Sequence, residues 1–163
     1  MADRTLRTIE ELKGLEGQEL AVGPWLAITQ ERVNTFLQAT MGPNWRAAWL
    51  YTDAERAAKD APFGGTILPG NFTLSLATLV PTNPESQGTV VALPYRMVIN
   101  YGYNRVRWMS PVRVGSRIRS RNKLVSLSRV EPDVYQMRSQ VTVEVEGQEK
   151  PAMVAENLTR FYM

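Results

Sequence analysis

The segment Phe72–Val80 constrains this chain more than any other stretch. It carries Phe72, Leu74, Leu76, Ala77 and Val80 and is nearly apolar all round. Pro69-Gly70 precedes it, so a helix is expected to start near Asn71 or Phe72. A helix without a polar face must be buried, and a sheet is the natural wrapper. From Val90 onward the pattern supplies one. Val90–Asn100, Val106–Trp108, Arg117–Ser128, Val134–Val145 and Ala152–Tyr162 alternate or are rich in β-formers, with Gly, Pro and Asp between them. Val141-Thr-Val-Glu-Val-Glu146 gives the cleanest period of two. The expected class is therefore α+β, an antiparallel sheet around a central helix. At 163 residues, positions 1–163 form a single domain.

The residues before Phe72 read as short helices. Thr8 caps a helix over 8–15, and Thr29 caps one over 30–40, where Val33, Phe36, Leu37 and Thr40 recur at helical spacing. Between them 18–28 is extended, with a turn at Gly23-Pro24. Gly42-Pro43 ends the second helix, a loop runs to Thr52, and Asp53 caps a small helix over 54–60. The Pro- and Gly-bearing stretch 82–89 reads as the mobile loop.

Composition removes whole classes of chemistry. The chain has no cysteine and no histidine. Disulfides, thiolate nucleophiles, Ser-His triads and His-bearing zinc sites are excluded, and with them the usual general base near neutral pH. No metal site is expected and no cofactor is called for. No apolar run approaches the roughly 20 residues of a spanning helix, and the first twelve residues mix acids and bases without an apolar core. A cytoplasmic protein with no membrane partner is expected.

Net charge is only +3, yet six arginines fall between Arg105 and Arg121. Arg117, Arg119 and Arg121 share one face of a strand. Such a row suits phosphates held by guanidinium forks, or is a solvated face. Nucleic acid would call for a larger positive excess with interleaved aromatics, so a small phosphate-bearing molecule is the better fit.

Several segments, in order, resemble the MaoC-like branch of the hotdog-fold hydratases and dehydratases, which includes the (R)-specific enoyl-CoA hydratases. They are Ile28-Thr-Gln-Glu-Arg-Val-Asn34, Asp53-Ala-Glu-Arg-Ala-Ala-Lys59 and Pro62-Phe-Gly-Gly-Thr-Ile67. Phe72-Thr-Leu-Ser-Leu76, Ile99-Asn-Tyr-Gly-Tyr-Asn-Arg-Val-Arg107, Ser110-Pro-Val-Arg-Val-Gly-Ser-Arg-Ile-Arg119 and Lys150-Pro-Ala-Met-Val-Ala-Glu156 follow. The resemblance implies a curved antiparallel sheet around the central helix and a homodimer. It also implies reversible hydration of a 2-enoyl thioester of CoA or an acyl carrier, its carbonyl polarised by backbone N–H groups at the helix start, here Gly70.

The family's water-activating dyad, an Asp followed after four residues by a His, has no counterpart in a chain without histidine. Aligning on Asp53 places Arg46 and Tyr51 at those positions; aligning on Thr40 places Gly42 and Ala47 there. A second histidine usual before the helix glycine is Pro69 here, and Asn71 follows that glycine. The catalytic candidates are therefore Tyr51, Asp53, Asn71, Gly70 and Arg46. Tyr51 would act as acid or oxyanion donor, Asp53 as base, and Arg46 as an enolate or anion partner. Substrate contacts are expected from Trp45, Trp49, Pro69, Tyr101, Tyr103, Asn104, Arg117 and Arg119. Structural roles compete: Asp53 as a helix cap, Arg46 as a solvated loop residue, Trp45 and Trp49 as core or dimer packing. Two functions stay open, a lyase or isomerase with an unusual proton shuttle, and a binding protein or partner subunit without catalysis.

Overall fold

The computed structural model describes residues 4–77 and 85–163. Among them run strand β1 (Arg4–Leu6), helix α1 (Ile9–Lys13), strands β2 (Glu19–Val22) and β3 (Leu26–Ala27), and helix α2 (Gln30–Met41). Helices α3 (Trp49–Thr52), α4 (Ala54–Asp60) and α5 (Gly70–Ala77) follow, then β4 (Gln87–Val91), β5 (Met97–Trp108), β6 (Arg117–Glu131), β7 (Val134–Val145) and β8 (Met153–Tyr162). The sheet runs β1-β4-β2-β6-β7-β8-β5, with β3 added on β6.

Local chemistry sets the element starts as the sequence predicts. Thr8 and Glu11 form a capping box on α1: the Thr8 hydroxyl accepts from the Glu11 N–H at 3.2 Å, and the Glu11 carboxylate accepts from Arg7 and Thr8 N–H. Those bonds from Arg7 and Thr8 hold the Glu11 carboxyl below its usual range. Thr29 caps α2 and Asp53 caps α4.

Four expectations change. The stretch after α2 is no open loop: Gly42–Ala47 coils into a 3-10 helix with Pro43 near its start, and α3 follows. Trp45 explains it, because its ring is 9% exposed and joins the core, which pulls the backbone inward. The expected strand over 90–100 splits at Pro94, and its second part continues through Trp108 as the single strand β5. Of the loop expected over 82–89, residues 82–84 lie outside the described residues and Gln87–Thr89 begin β4. The sheet is antiparallel except that β1 pairs parallel with β4.

The long strands present one face inward. On β7, Val141, Val143 and Val145 are buried while Thr142 and Glu144 face out. Phe72, Leu76 and Ala77 of α5 pack there with Ile118, Met153 and Ala155. A second apolar cluster, with Leu12, Leu20, Leu124, Met137 and Phe161, fills the other end of the same face. A polar band separates the two. Asn122, Ser139 and Asn157, on β6, β7 and β8, are all buried there. The Asn122 Oδ1 and Ser139 Oγ atoms have no hydrogen-bond partner among the described residues. Each such atom costs on the order of 1–3 kcal/mol.

Candidate active site

The segment entering α5 is pinned from both sides before the helix begins. The Leu68 N–H donates to the Val112 carbonyl at 2.7 Å and the Val114 N–H to the Thr66 carbonyl at 2.9 Å. Upstream, Gly64 (φ +70°) lies under the Arg113 guanidinium, which donates to its carbonyl at 2.7 Å. A left-handed residue is accommodated there at no steric cost only by glycine. Gln30 completes the frame. Its Nε2 donates to the Tyr51 carbonyl at 2.6 Å, and its Oε1 accepts from the Thr66 hydroxyl at 2.8 Å. One side chain of α2 thus fixes both α3 and the approach to α5.

At the helix start, the N–H groups of Phe72 and Thr73 donate to the Pro69 carbonyl at 3.0 and 3.1 Å. The Gly70 and Asn71 amides stand before the first intrahelical bond, where a helix leaves its donors free. Trp108 of β5 covers Gly70. Its indole N–H donates to the Gly70 carbonyl at 2.8 Å, and a Cβ on Gly70 would meet the ring at 2.8 Å. Only glycine admits that approach. Around this point opens a cleft of about 680 Å³, lined by Phe36, Thr40, Tyr51, Pro69, Gly70, Asn71, Ser75 and Trp108 among others. Phe36 and Phe72 stack behind it, ring centroids 4.5 Å apart.

The structure brings four candidates together in this cleft: Tyr51, Pro69, Gly70 and Asn71. Asn71 and Ser75 are exposed and Leu74 is half-buried, so α5 is not buried all round as its composition suggests; one side faces the cleft. The other candidates lie elsewhere. Asp53 is exposed and its carboxylate accepts from the Arg56 N–H at 3.0 Å, the helix-capping alternative. Exposed Arg46 stacks over Trp45 at 4.6 Å, and Arg56 over half-buried Trp49 at 4.5 Å.

On β5, Tyr101 lies under Arg160 at 3.6 Å, and the Tyr103 hydroxyl accepts from the Asn100 amide at 3.0 Å. Asn104 donates to Glu156. Arg117 and Arg119 pair with Glu146 and Glu144 at 2.8 and 2.7 Å, and both flank the Trp25 ring. Each arginine of the row pairs with a carboxylate and keeps part of its side chain exposed. Gln30 and Trp108 were not among the candidates. A glutamine one residue after a helix cap and a tryptophan ending a strand carry no local signal, because their partners lie far off in sequence.

A helix packed against one face of an antiparallel sheet, with its N-terminus opening into a cleft, fits the architecture of the hotdog fold. Residues 12–147 match the model of the MaoC like domain, and the chain belongs to that family. It is 39% identical over 158 residues to the 3-hydroxyacyl-thioester dehydratase Z of Mycobacterium tuberculosis, covering 97% of this chain and 98% of that one. It is 35% identical over 148 residues to nodulation protein N of Rhizobium meliloti, covering 91% and 87%. Among solved structures, the monoamine oxidase regulatory protein from Archaeoglobus fulgius superposes with a TM-score of 0.74 at 20% identity, covering 99% of this chain and 97% of that one. No described helix is long and apolar enough to cross a membrane.

Proposed function

We propose that this protein is a lyase that hydrates or dehydrates an acyl thioester, with the carbonyl seated at the start of α5. The observation that carries the reading is the cleft in which the Gly70 and Asn71 amides, Tyr51 and Trp108 converge. In dehydration, a proton passes from C2 of a 3-hydroxyacyl thioester to a water molecule in the open cleft, and the developing enolate oxygen collects negative charge. The Gly70 and Asn71 N–H groups and the positive end of the helix would stabilise that charge. The C3–O bond then breaks, the hydroxyl leaves with a proton as water, and a 2-enoyl thioester remains.

Tyr51 carries the one phenol of the described cleft lining, and it would give a proton to the departing hydroxyl and take one back from solvent. Asn71 adds an amide beside the oxyanion position. The proton shuttle therefore differs from an Asp/His pair, which a chain without histidine cannot form. Asp53 lies outside the described lining of the cleft, with its Oδ1 held by the Arg56 N–H.

A second copy of the chain is proposed to pair with it through β5. That strand ends the sheet and exposes Met97, Val98, Tyr101 and Trp108, an open edge that proteins ordinarily cover. A single monomeric species in sedimentation at micromolar concentration would overturn the homodimer.

The described cleft lining holds no carboxylate, and that favours a second reading, a protein that binds an acyl thioester without turning it over. A panel of 2-enoyl-CoA and 3-hydroxyacyl-CoA substrates, followed by mass spectrometry, separates the two. Turnover is expected, and Tyr51→Phe and Asn71→Ala are each expected to lower it about ten-fold or more. Binding without product favours the second reading, and turnover untouched by both variants removes these residues from the reaction.

A further inference from the structure

The first turn of α5 contains one peptide whose carbonyl is gripped from outside the helix. The backbone on either side is fixed by main-chain partners: the Leu68 N–H donates to the Val112 carbonyl, and the Pro69 carbonyl takes the N–H groups of Phe72 and Thr73. Between them lies the Gly70–Asn71 peptide. Its carbonyl accepts the Trp108 indole N–H at 2.8 Å, from a strand 38 positions away.

Trp108 is itself placed by the sheet. It ends β5 opposite fully buried Met153 of β8, and the next N–H along, that of Met109, donates to the Ala152 carbonyl at 2.8 Å. Trp108 is half exposed, so water competes for its N–H, yet the indole donates to Gly70. Gly70 has no Cβ, which gives the ring its room and leaves the Gly70 backbone freer to rotate than any other residue's.

The consequence falls on the other side of the same peptide. A peptide is planar and the described ones are trans, so the Gly70 carbonyl and the Asn71 N–H point in opposite directions. A donor that fixes the carbonyl therefore fixes the N–H. The Asn71 amide precedes the first intrahelical bond, and a partner on its own carbonyl is what sets its direction.

We propose that Trp108 is a positioning residue: its indole holds the Gly70–Asn71 peptide so that the Asn71 N–H is presented to a thioester carbonyl in the cleft. This role rests on the reading of the cleft as an acyl-thioester site. Trp108 acts on the substrate only through that N–H.

Trp108→Phe keeps a ring over Gly70 and removes the donor. Replacing Trp108 by β-(3-benzothienyl)alanine keeps the bicyclic shape, removes only the N–H, and serves if the phenylalanine variant does not fold. In the unliganded chain, the residual dipolar coupling of the Asn71 amide reports the direction of its N–H whatever the reaction. It is expected to change in both variants while the couplings of β6 and β7 stay as they are. With a 3-hydroxyacyl-CoA, kcat is expected to fall about ten-fold and KM to change less than about two-fold, a smaller loss than removing an oxyanion donor outright. An unchanged Asn71 coupling overturns the proposal, and so does a changed coupling with kcat intact. No turnover in the unaltered chain overturns the lyase reading instead, and the infrared carbonyl band of bound butyryl-CoA then decides for Trp108. A shift to lower frequency that both variants lose supports the role; a band indifferent to them, or no butyryl-CoA binding at all, overturns it.

Discussion

The outer face of β6 and the cleft at the start of α5 are built on opposite principles. The β6 face holds Arg117, Arg119 and Arg121, and each is matched with a carboxylate; Arg121 grips Glu19 through two bonds at 2.7 and 2.9 Å. The Glu19 partnership pushes the Arg121 guanidinium further toward its charged form. The cleft has almost no charge. Its chemistry comes from backbone amides, a phenol, an indole and a side-chain amide, held by neighbours rather than by counter-ions. The contrast teaches that clustered charge often marks a surface already satisfied. Reactive capacity sits where donors are positioned and left without an internal acceptor.

The sharpest break of that contrast is Gly70→Ala. Its new Cβ would meet the Trp108 ring at 2.8 Å, so the indole must swing away. An overpacking loss of about 1–3 kcal/mol is expected in urea denaturation, with turnover falling about a hundred-fold. Adding Trp108→Ala should restore most of the stability. A Gly70→Ala variant with unchanged stability and turnover would show that Trp108 does not define the cleft.

Gln30→Leu probes the frame rather than the site. It removes the partners of the Tyr51 carbonyl and the Thr66 hydroxyl together, for about 1–3 kcal/mol. Turnover should fall with KM little changed, because Tyr51 is displaced rather than removed. A stability loss with full turnover would sever Gln30 from the cleft.

The smallest effect is expected on the arginine row. Arg117→Ala and Arg119→Ala break partly exposed ion pairs, each worth under about 1 kcal/mol. KM for a CoA thioester should change by less than about two-fold. A ten-fold rise in KM would reverse the comparison and return the row to phosphate binding.

What was legible in the sequence was local. Thr8, Thr29 and Asp53 cap helices because a short oxygen-bearing side chain ahead of a helical run satisfies free N–H groups within three residues. The bounds of β7 follow from alternation alone. The 3-10 turn over Gly42–Ala47 was not legible. It exists because Trp45 finds a core made of distant strands, and no propensity at 42–47 reports that.

The candidate site divides in the same way. Gly70, Asn71, Pro69 and Tyr51 were chosen from the residues and their likeness to a family, and they do share a cleft. Asp53 and Arg46, chosen on nearness in sequence, lie outside its lining, since a cap and a stacked guanidinium are held by neighbours on their own turns.

The sequence by itself determined the α+β class, the place of the central helix, the caps, and the absence of any imidazole or thiolate chemistry. These follow from side-chain type and spacing. Only the tertiary structure decided which donors are left free, that Trp108 closes on Gly70, that Gln30 links α2 to Tyr51, and that the Asn122 Oδ1 is buried without a partner among the described residues. Those facts rest on contacts between residues 20 to 40 or more positions apart, and whether a polar group is satisfied depends on what the fold places beside it.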